Sequence, residues 1–250
     1  MKNAHLILWL SGFLGTVSPA QQPPRPVEPD APAAPAIREL APGIYQVGEV
    51  KLEKAARRVS FPARINMAEG PVEYLLVTAM GKTHESVLVT DIAPHHLQVA
   101  MLLLGARGTP AAALTNAPAG GPITQGGAGR NPPLPGDPVL LEVAWTQAGQ
   151  PQRKRLEEWV FNRRTRAPMT KGPFTFTGSR VWQGKFIAQT EGSIIALITD
   201  PDAVFNNPRP SRDADDTWLV RKQDVPPLNS LVEVSITLPP PPKPPAGPGK

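Results

Sequence analysis

The sequence predicts an α+β fold in which a mainly antiparallel β-sheet carries one packed amphipathic helix, between proline-rich, disordered ends. Strand signals outnumber helix signals, because six short segments are rich in β-branched residues or alternate apolar with polar residues, and Gly or Pro lies beside most of them. The segments are residues 72–78, 86–90, 139–146, 185–189, 193–199 and 231–237. Residues 80–82 and 148–150 each centre on a glycine between two strand signals, and we expect hairpin connections at both places.

The one strong helix signal begins at Pro94. Proline is suited to the first helical turn, where the missing amide hydrogen has no intrahelical acceptor. Apolar residues follow at positions 97, 100, 101 and 104, the i, i+3, i+4 and i+7 spacing that places side chains on one helix face. Gly105 is placed to end the helix. We therefore predict that this helix packs on the sheet.

Proline content marks where the folded part ends. Residues 21–36 hold six prolines in sixteen positions and residues 239–250 hold seven in twelve, so neither segment can form a packed core. Residues 107–137 consist almost wholly of Gly, Pro, Ala, Asn and Thr, which is typical of a flexible insertion. The predicted organisation is a linker over 21–36, one domain over 37–238 interrupted by the insertion at 107–137, and a tail over 239–250.

The first twenty residues read as a signal peptide. Lys2 precedes an apolar stretch over residues 6–17, and Ser18 and Ala20 are the small residues that a signal peptidase reads. The stretch is shorter than the roughly 20 residues of a membrane-spanning helix, and no later segment approaches that length. We expect cleavage after Ala20 and a soluble periplasmic or secreted protein without a transmembrane segment.

Composition removes several classes of function. The chain has no cysteine, so it has no disulfides, no thiolate nucleophile and no cysteine-bound metal. Removing Lys2 with the signal peptide lowers the count of Lys and Arg from 26 to 25 against 21 acidic residues, a net charge of +4. A balance this small does not indicate nucleic acid as a partner.

Titratable side chains concentrate between residues 84 and 96. His84 and Glu85 begin this run, Asp91 lies in its middle, and His95 and His96 end it. His95 and His96 are neighbours on the predicted helix and point about 100° apart, so we expect them on its solvent side. The candidates for a binding site are His84, Glu85, Asp91 and Glu191. No residue is assigned as catalytic or metal-binding, and no cofactor is predicted.

Two kinds of chemistry stay open as alternatives at this segment. His84 and Glu85 offer metal ligands, but Leu88 stands where a zinc-protease motif needs its second histidine. Ser86 lies two residues from His84, on the same face if both are in a strand, but it lacks the glycine-flanked elbow of many serine hydrolases. The alternative function is therefore a metal-dependent or hydrolytic enzyme with its site around His84, Glu85 and Asp91.

Two charge clusters have simpler interpretations. Six basic residues at positions 153–155, 163, 164 and 166 are interrupted by Glu157 and Glu158, which favours a solvated, partly self-paired face over a polyanion site. Asp213, Asp215 and Asp216 lack the glycine and terminal glutamate of an EF-hand loop. We expect an exposed polar loop there.

Three blocks of the sequence resemble the YdjY domain family of exported bacterial proteins. They are GKTHESVLVTDIAPHHLQVAMLLLGA from Gly81, TFTGSRVWQGKFIAQTEGSIIALITDPDAVFNN from Thr175, and DDTWLV from Asp215. Residues that stand where the family pattern has them are Glu73, Gly81, His84, Glu85, Ser86, Thr90, Asp91, Gly105, Gly178, Ser179 and Glu191. The resemblance implies no particular substrate, cofactor or catalytic residue. The favoured hypothesis is a non-catalytic binding or envelope-associated module, with an envelope protein or polysaccharide as the possible partner.

Overall fold

The computed structural model describes residues 36–109, 133–210, 212 and 214–240. The predicted signal peptide (1–20), nearly all of the linker (21–36), most of the insertion (107–137) and most of the tail (239–250) lie outside the described residues.

The described residues form seventeen strands and two α-helices. The strands are β1 Ile37–Ala41, β2 Ile44–Val47, β3 Val50–Glu53, β4 Arg58–Ile65, β5 Tyr74–Thr78, β6 Ser86–Thr90, β7 Asp137–Gln147, β8 Gln150–Arg155, β9 Val160–Asn162, β10 Ala167–Pro168, β11 Phe174–Phe176, β12 Val181–Trp182, β13 Lys185–Phe186, β14 Ser193–Ala196, β15 Phe205–Asn206, β16 Trp218–Val220 and β17 Leu231–Thr237. The helices are α1 Pro94–Leu103 and α2 Ile187–Glu191, and short 3-10 turns cover Thr83–Glu85 and Leu156–Trp159.

Eight of the strands close into a β-barrel. Their order is β4, β17, β7, β11, β15, β14, β5 and β6, and β6 returns to β4 through the pairs Arg64 with Val89 and Ile65 with Leu88. Two neighbouring pairs, β5 with β6 and β14 with β15, are parallel, and the other six are antiparallel. An eight-stranded barrel has an interior just wide enough for side chains to fill.

The barrel overturns the predicted α+β fold class. The sequence patterns predict an α+β fold, a mainly antiparallel sheet with one packed helix, whereas the sheet closes on itself and the fold is a β-barrel. Closure depends on one strand, β4, which pairs with β3 over Arg58–Ser60 and with β6 over Arg64–Ile65 along the same edge. The β4–β6 contact joins residues more than twenty positions apart in the sequence, so strand periodicity does not encode it.

The hairpin predicted at Gly81 is also wrong, because β5 and β6 are parallel and residues 79–85 return the chain to the beginning of the next strand. The second predicted hairpin is confirmed. β7 and β8 are antiparallel, and Ala148 and Gly149 have φ values of 50° and 75°, as a two-residue primed turn requires.

Each barrel strand contributes a fully buried apolar side chain to one core cluster. Examples, one per strand, are Val59, Val234, Leu141, Phe174, Phe205, Ile195, Leu76 and Leu88. At about 25 cal/mol per Å² of apolar surface removed from water, this burial is the main favourable term in a chain without disulfides.

Smaller sheets extend the barrel. β1, β2 and β3 form an antiparallel meander that continues from β4, and β9, β10 and β16 form a separate three-stranded sheet. A bridge between Pro71 and Leu219 joins this second sheet to the segment before β5. The three-stranded sheet therefore lies beside the entrance to β5.

Helix α1 lies where the sequence predicts a helix. Pro94 occupies its first turn, and Leu97, Ala100 and Met101 are fully buried against neighbours that include β2, β3 and β4. Gly105 has φ 84°, and the amides of Gly105 and Ala106 donate to the carbonyls of Leu102 and Met101. This is the Schellman arrangement that satisfies the last carbonyl groups of a helix.

The expectation that His95 and His96 lie on the solvent side of α1 is wrong, since both are partly buried. The His96 ring packs against the β2–β3 turn so closely that a Cβ atom at Gly48 would overlap it. This burial lowers the pKa of His96, and the neighbouring His95 acts in the same direction. His95 Nδ1 lies 3.0 Å from the side-chain oxygen of Gln189 in α2.

The two ends of the insertion meet at one point. The amide of Arg107 donates to the Asp137 carboxylate at 2.9 Å, and the amide of Asp137 donates to the Arg107 carbonyl at 2.8 Å. The amide of Thr109 also donates to the carbonyl of Thr177. The described ends of this segment are therefore tied to the barrel by backbone hydrogen bonds.

Truncating the buried face of α1 should destabilise the domain strongly. Leu97→Ala or Met101→Ala should each lower the free energy of unfolding by about 2–5 kcal/mol, because buried methylene groups are lost and a cavity remains. Leu102→Ala is the matched control, since Leu102 lies on the same helix and is 52% exposed, and it should cost less than about 0.5 kcal/mol. Urea unfolding of the three variants measures the difference. Equal losses in all three would contradict the packing described.

Candidate functional site

A cleft of about 420 Å³ lies between the entrance to β5 and β6 and the three-stranded sheet. We call it the charged cleft, because six of its eight lining residues have ionisable side chains. The lining residues are Pro71, Val72, Glu73, His84, Glu85, Arg163, Asp215 and Asp216. Two of the four residues that the sequence singles out for binding, His84 and Glu85, are among them.

The parallel pairing of β5 with β6 builds one side of the charged cleft. Tyr74 pairs with Ser86, so the residues just before these two strands are neighbours. The amide of Glu73 donates to the carbonyl of Glu85 at 2.9 Å, and the carbonyl of Glu73 accepts from the amide of Leu197 at 2.7 Å. Backbone hydrogen bonds thus hold two glutamates side by side.

The antiparallel pairing of β9 with β16 builds the other side. Asn162 at the end of β9 pairs with Trp218 at the beginning of β16. The amide of Arg163 then donates to the carbonyl of Thr217 at 2.8 Å, which places Arg163 close to Asp215 and Asp216. The amide of Val72 donates to the carbonyl of Trp218, which joins the two sides.

Some of the charges in the cleft are compensated and others are not. Asp216 forms a 2.9 Å ion pair with Arg164, and Glu85 has Lys82 at 4.0 Å and His84 at 3.9 Å. Within the described part of the chain, the side chains of Glu73, Asp215 and Arg163 have no ion-pair partner within 4.0 Å. Two carboxylates and one guanidinium therefore remain unpaired in one cleft.

A buried hydrogen-bond chain supports the glutamate side. The Tyr74 hydroxyl donates to the Asp200 carboxylate at 2.9 Å and accepts from the Lys82 ammonium at 2.8 Å. Tyr74 is fully buried, and burial together with Asp200 raises the pKa of Tyr74, so the phenol stays protonated. The Lys82 ammonium is thereby fixed against Tyr74, and it reaches Glu85 only at 4.0 Å.

Glu73 has the most perturbed carboxyl group of the cleft. Burial raises the pKa of Glu73, the negative charge of Glu85 raises it further, and Asp215 and Asp200 act in the same direction. Lys82 opposes them and does not outweigh them. The ionised form of Glu73 is therefore disfavoured by its own surroundings.

The four predicted binding residues divide into two groups. His84 and Glu85 line the cleft, with side chains 80% and 21% exposed. Asp91 follows the opposite end of β6, about 17 Å away at roughly 3.3 Å per residue, and lies 3.4 Å from Arg64. Glu191 is exposed at the end of α2, beside Gly192, whose carbonyl accepts from Thr78 at the far end of β5. Neither Asp91 nor Glu191 lines the cleft.

The structure can be compared with the two kinds of chemistry left open by the sequence, serine-dependent hydrolysis and metal binding. Ser86 does not share a face with His84, because His84 lies in a 3-10 turn and the Ser86 hydroxyl is buried and donates to the Leu88 carbonyl at 2.8 Å. Among the described residues, no group of three or more His, Asp and Glu side chains is arranged to hold a metal ion.

Sequence reasoning missed Glu73, Arg163, Asp215 and Asp216 as members of one site. Arg163 and the two aspartates belong to clusters that the sequence assigns to solvated surface, and four of the six basic residues do pair with carboxylates: Arg153 with Glu142, Lys154 with Asp224, Arg155 with Glu157 and Arg164 with Asp216. The DDTWLV block was the one sequence signal for Asp215 and Asp216. It could not place them near Arg163, because that proximity depends on the long-range pairing of β16 with β9.

The fold and the cleft define a small β-barrel domain with a charged surface cleft, and the described residues include no helix long and apolar enough to cross a membrane. The YdjY domain matches residues 50–237, which cover more than half of the chain and include all eight barrel strands and the whole cleft. The chain belongs to the YdjY domain family, as the sequence blocks predict. Comparisons with curated proteins and with solved structures give no match.

Removing the charge of Glu73 should stabilise the protein at neutral pH. Because the folded-state pKa of Glu73 is raised above 4.5, its stabilising contribution is present below that pH and is lost as the pH rises through the folded-state value. Glu73→Gln should therefore raise Tm at pH 7.5 by about 1–2 °C, or roughly 0.5 kcal/mol after solvent screening, and the gain should disappear near pH 4.

Glu69→Gln is the control for this measurement, since Glu69 is an exposed glutamate four residues away that pairs with Lys222. It should give no gain in Tm at pH 7.5, because that ion pair lowers the pKa of Glu69. A Glu73→Gln gain that is the same at both pH values would show that packing, rather than charge, is responsible.

Proposed function

We propose that this YdjY domain is a non-catalytic binding module that takes a positively charged group in the charged cleft, and that the chain is exported to the cell envelope or beyond. The observation that carries the binding proposal is the pair of unpaired carboxylates, Glu73 and Asp215, held in one cleft beside Glu85. A cation placed between them relieves a repulsion that the fold by itself leaves uncompensated.

Two features support binding rather than nucleophilic catalysis. The lining of the cleft contains no Ser or Thr, and the hydroxyl of Ser86, which follows Glu85 in the chain, is buried and donates to the Leu88 carbonyl. His84 is 80% exposed, and among the described residues it has an ion-pair contact only with Glu85, at 3.9 Å, so its ring is not held as a general base requires.

The pKa of Glu73 favours a second candidate, a hydrolytic enzyme. Two adjacent carboxyl groups in different environments are the arrangement that glycoside hydrolases use, with the group of raised pKa as the general acid. Glu73 would be that acid, and Glu85 would be the second carboxyl group. Release of reducing ends from envelope polysaccharide, abolished by Glu73→Gln, would favour this candidate over the binding module.

Titration with a small diamine tests the binding module. Cadaverine should bind the purified domain, and Glu73→Gln or Asp215→Asn should weaken binding at least fivefold, because each removes one unpaired carboxylate. The affinity should fall as salt rises, since a partly exposed charge pair is screened. Chemical shift changes in the protein amides measure the affinity.

Two controls accompany the titration. 1,5-Pentanediol has the shape of cadaverine without its charges and should not bind. Asp91→Asn removes an exposed carboxylate at the other end of β6 and should leave the affinity for cadaverine unchanged. Binding of the diol, or an equal loss in the Asp91 variant, would count against the charged cleft as a cation site.

The export part of the proposal has its own test. The exported chain should begin at Gln21, because Ser18 and Ala20 meet the small-residue requirement of signal cleavage. N-terminal sequencing of protein from the periplasm or the culture medium measures this directly. Intact Met1 on protein retained in the cytoplasm would contradict it.

A further inference from the structure

We infer that the charged cleft recognises a zwitterion, a short peptide with a free amino terminus and a free carboxylate, in which Arg163 binds the carboxylate and Glu73 with Asp215 binds the ammonium. This inference rests on the proposed function and adds to it an anion contact and a ligand class. It starts from the guanidinium of Arg163, which a site for simple cations does not require.

Some charged side chains of the cleft are paired with each other or with neighbours, and one basic and two acidic side chains are not. Asp216 is occupied by Arg164 at 2.9 Å. The ammonium of Lys82 is fixed by Tyr74 and lies 4.0 Å from Glu85. Arg163, Glu73 and Asp215 remain, and none of them has an ion-pair partner within 4.0 Å among the described residues.

The backbone on both sides of the cleft is held by hydrogen bonds to neighbouring segments. The Arg163 backbone is held by a 2.8 Å hydrogen bond to Thr217, and the strand before it pairs with β16. Glu73 is held by backbone hydrogen bonds on both sides, to Glu85 and to Leu197. Arg163 and Glu73 therefore lie on separately anchored segments of the chain.

The size of the cleft sets the size of the ligand. Arg163 and Glu73 line the same cleft without forming an ion pair, so a ligand that carries both charges can contact each of them. A cleft of about 420 Å³ has room for a ligand of dipeptide size.

The planar guanidinium suits the carboxylate end of such a ligand. Arginine presents a rigid fork of donors that matches a carboxylate with two parallel hydrogen bonds. An ammonium has three donors, and the carboxylates of Glu73 and Asp215 can accept from it. The cleft thus offers a different partner to each charged group of the peptide.

Dialanine and its C-terminal amide test the inference, because they differ only in the carboxylate. The free dipeptide should bind the full-length chain at least tenfold more tightly than the amide, measured by shifts of the protein amide resonances at low salt. Arg163→Gln should remove this preference and leave the affinity for the amide unchanged. Arg166→Gln is the matched control, since Arg166 lies on the same hairpin, is exposed and does not line the cleft, and it should keep the preference.

The outcomes separate this inference from the proposed function. If dialanine and its amide bind equally well, or if only cadaverine binds, the zwitterion inference is wrong and cation binding stands. If the preference survives in Arg163→Gln, another group binds the carboxylate and the assignment to Arg163 is wrong. If neither dialanine nor cadaverine binds, both the inference and the proposed function fail.

Discussion

The parallel contact between β5 and β6 is the interaction on which the rest of the structure depends. Parallel neighbours require the chain to travel back from the end of one strand to the beginning of the next, and residues 79–85 make this return. The return carries Lys82, His84 and Glu85 to the entrance of the barrel. β6 then pairs with β4 and closes the ring of eight strands. Closure of the barrel and assembly of the glutamate side of the cleft therefore share one set of backbone contacts.

The barrel core stabilises the folded protein, whereas the crowded carboxyl groups of the cleft destabilise it. Inside the barrel, apolar side chains from all eight strands are buried together, and this supplies the stability of a chain with no disulfides. In the cleft, Glu73 is partly buried beside Glu85 and Asp215, which disfavours its ionised form. The protein tolerates this unfavourable arrangement because the barrel core holds both segments in place. Unpaired charge that a rigid scaffold maintains is typical of a site that is complete only with its ligand.

Some local features of the sequence were predictable because local physics controls them, although the strand predicted over residues 185–189 is wrong over most of its length, since Ile187–Glu191 form helix α2. Helix α1 follows from the position of Pro94, the spacing of its apolar residues and the left-handed conformation that Gly105 adopts. The turn at Gly149 follows from the same kind of backbone preference. The turn at Gly81 shows the limit, since a glycine between two strand signals does not reveal whether the strands are parallel or antiparallel. Likewise, His96 has a polar side chain on a helix, and only the position of the β2–β3 turn decides that it is partly buried.

The sequence by itself determined the strand-rich character of the domain, helix α1, the family and two residues of the candidate site, His84 and Glu85, which are adjacent in the chain. Only the tertiary structure decided that the sheet is a closed barrel, that Asp91 and Glu191 lie away from the cleft, and that Glu73, Arg163 and Asp215 belong to it. The physical reason is that these outcomes depend on strand pairings between distant segments, β4 with β6 and β9 with β16. Periodicity and turn residues specify that a strand forms, whereas the choice of its partner is made by the packing of the whole core.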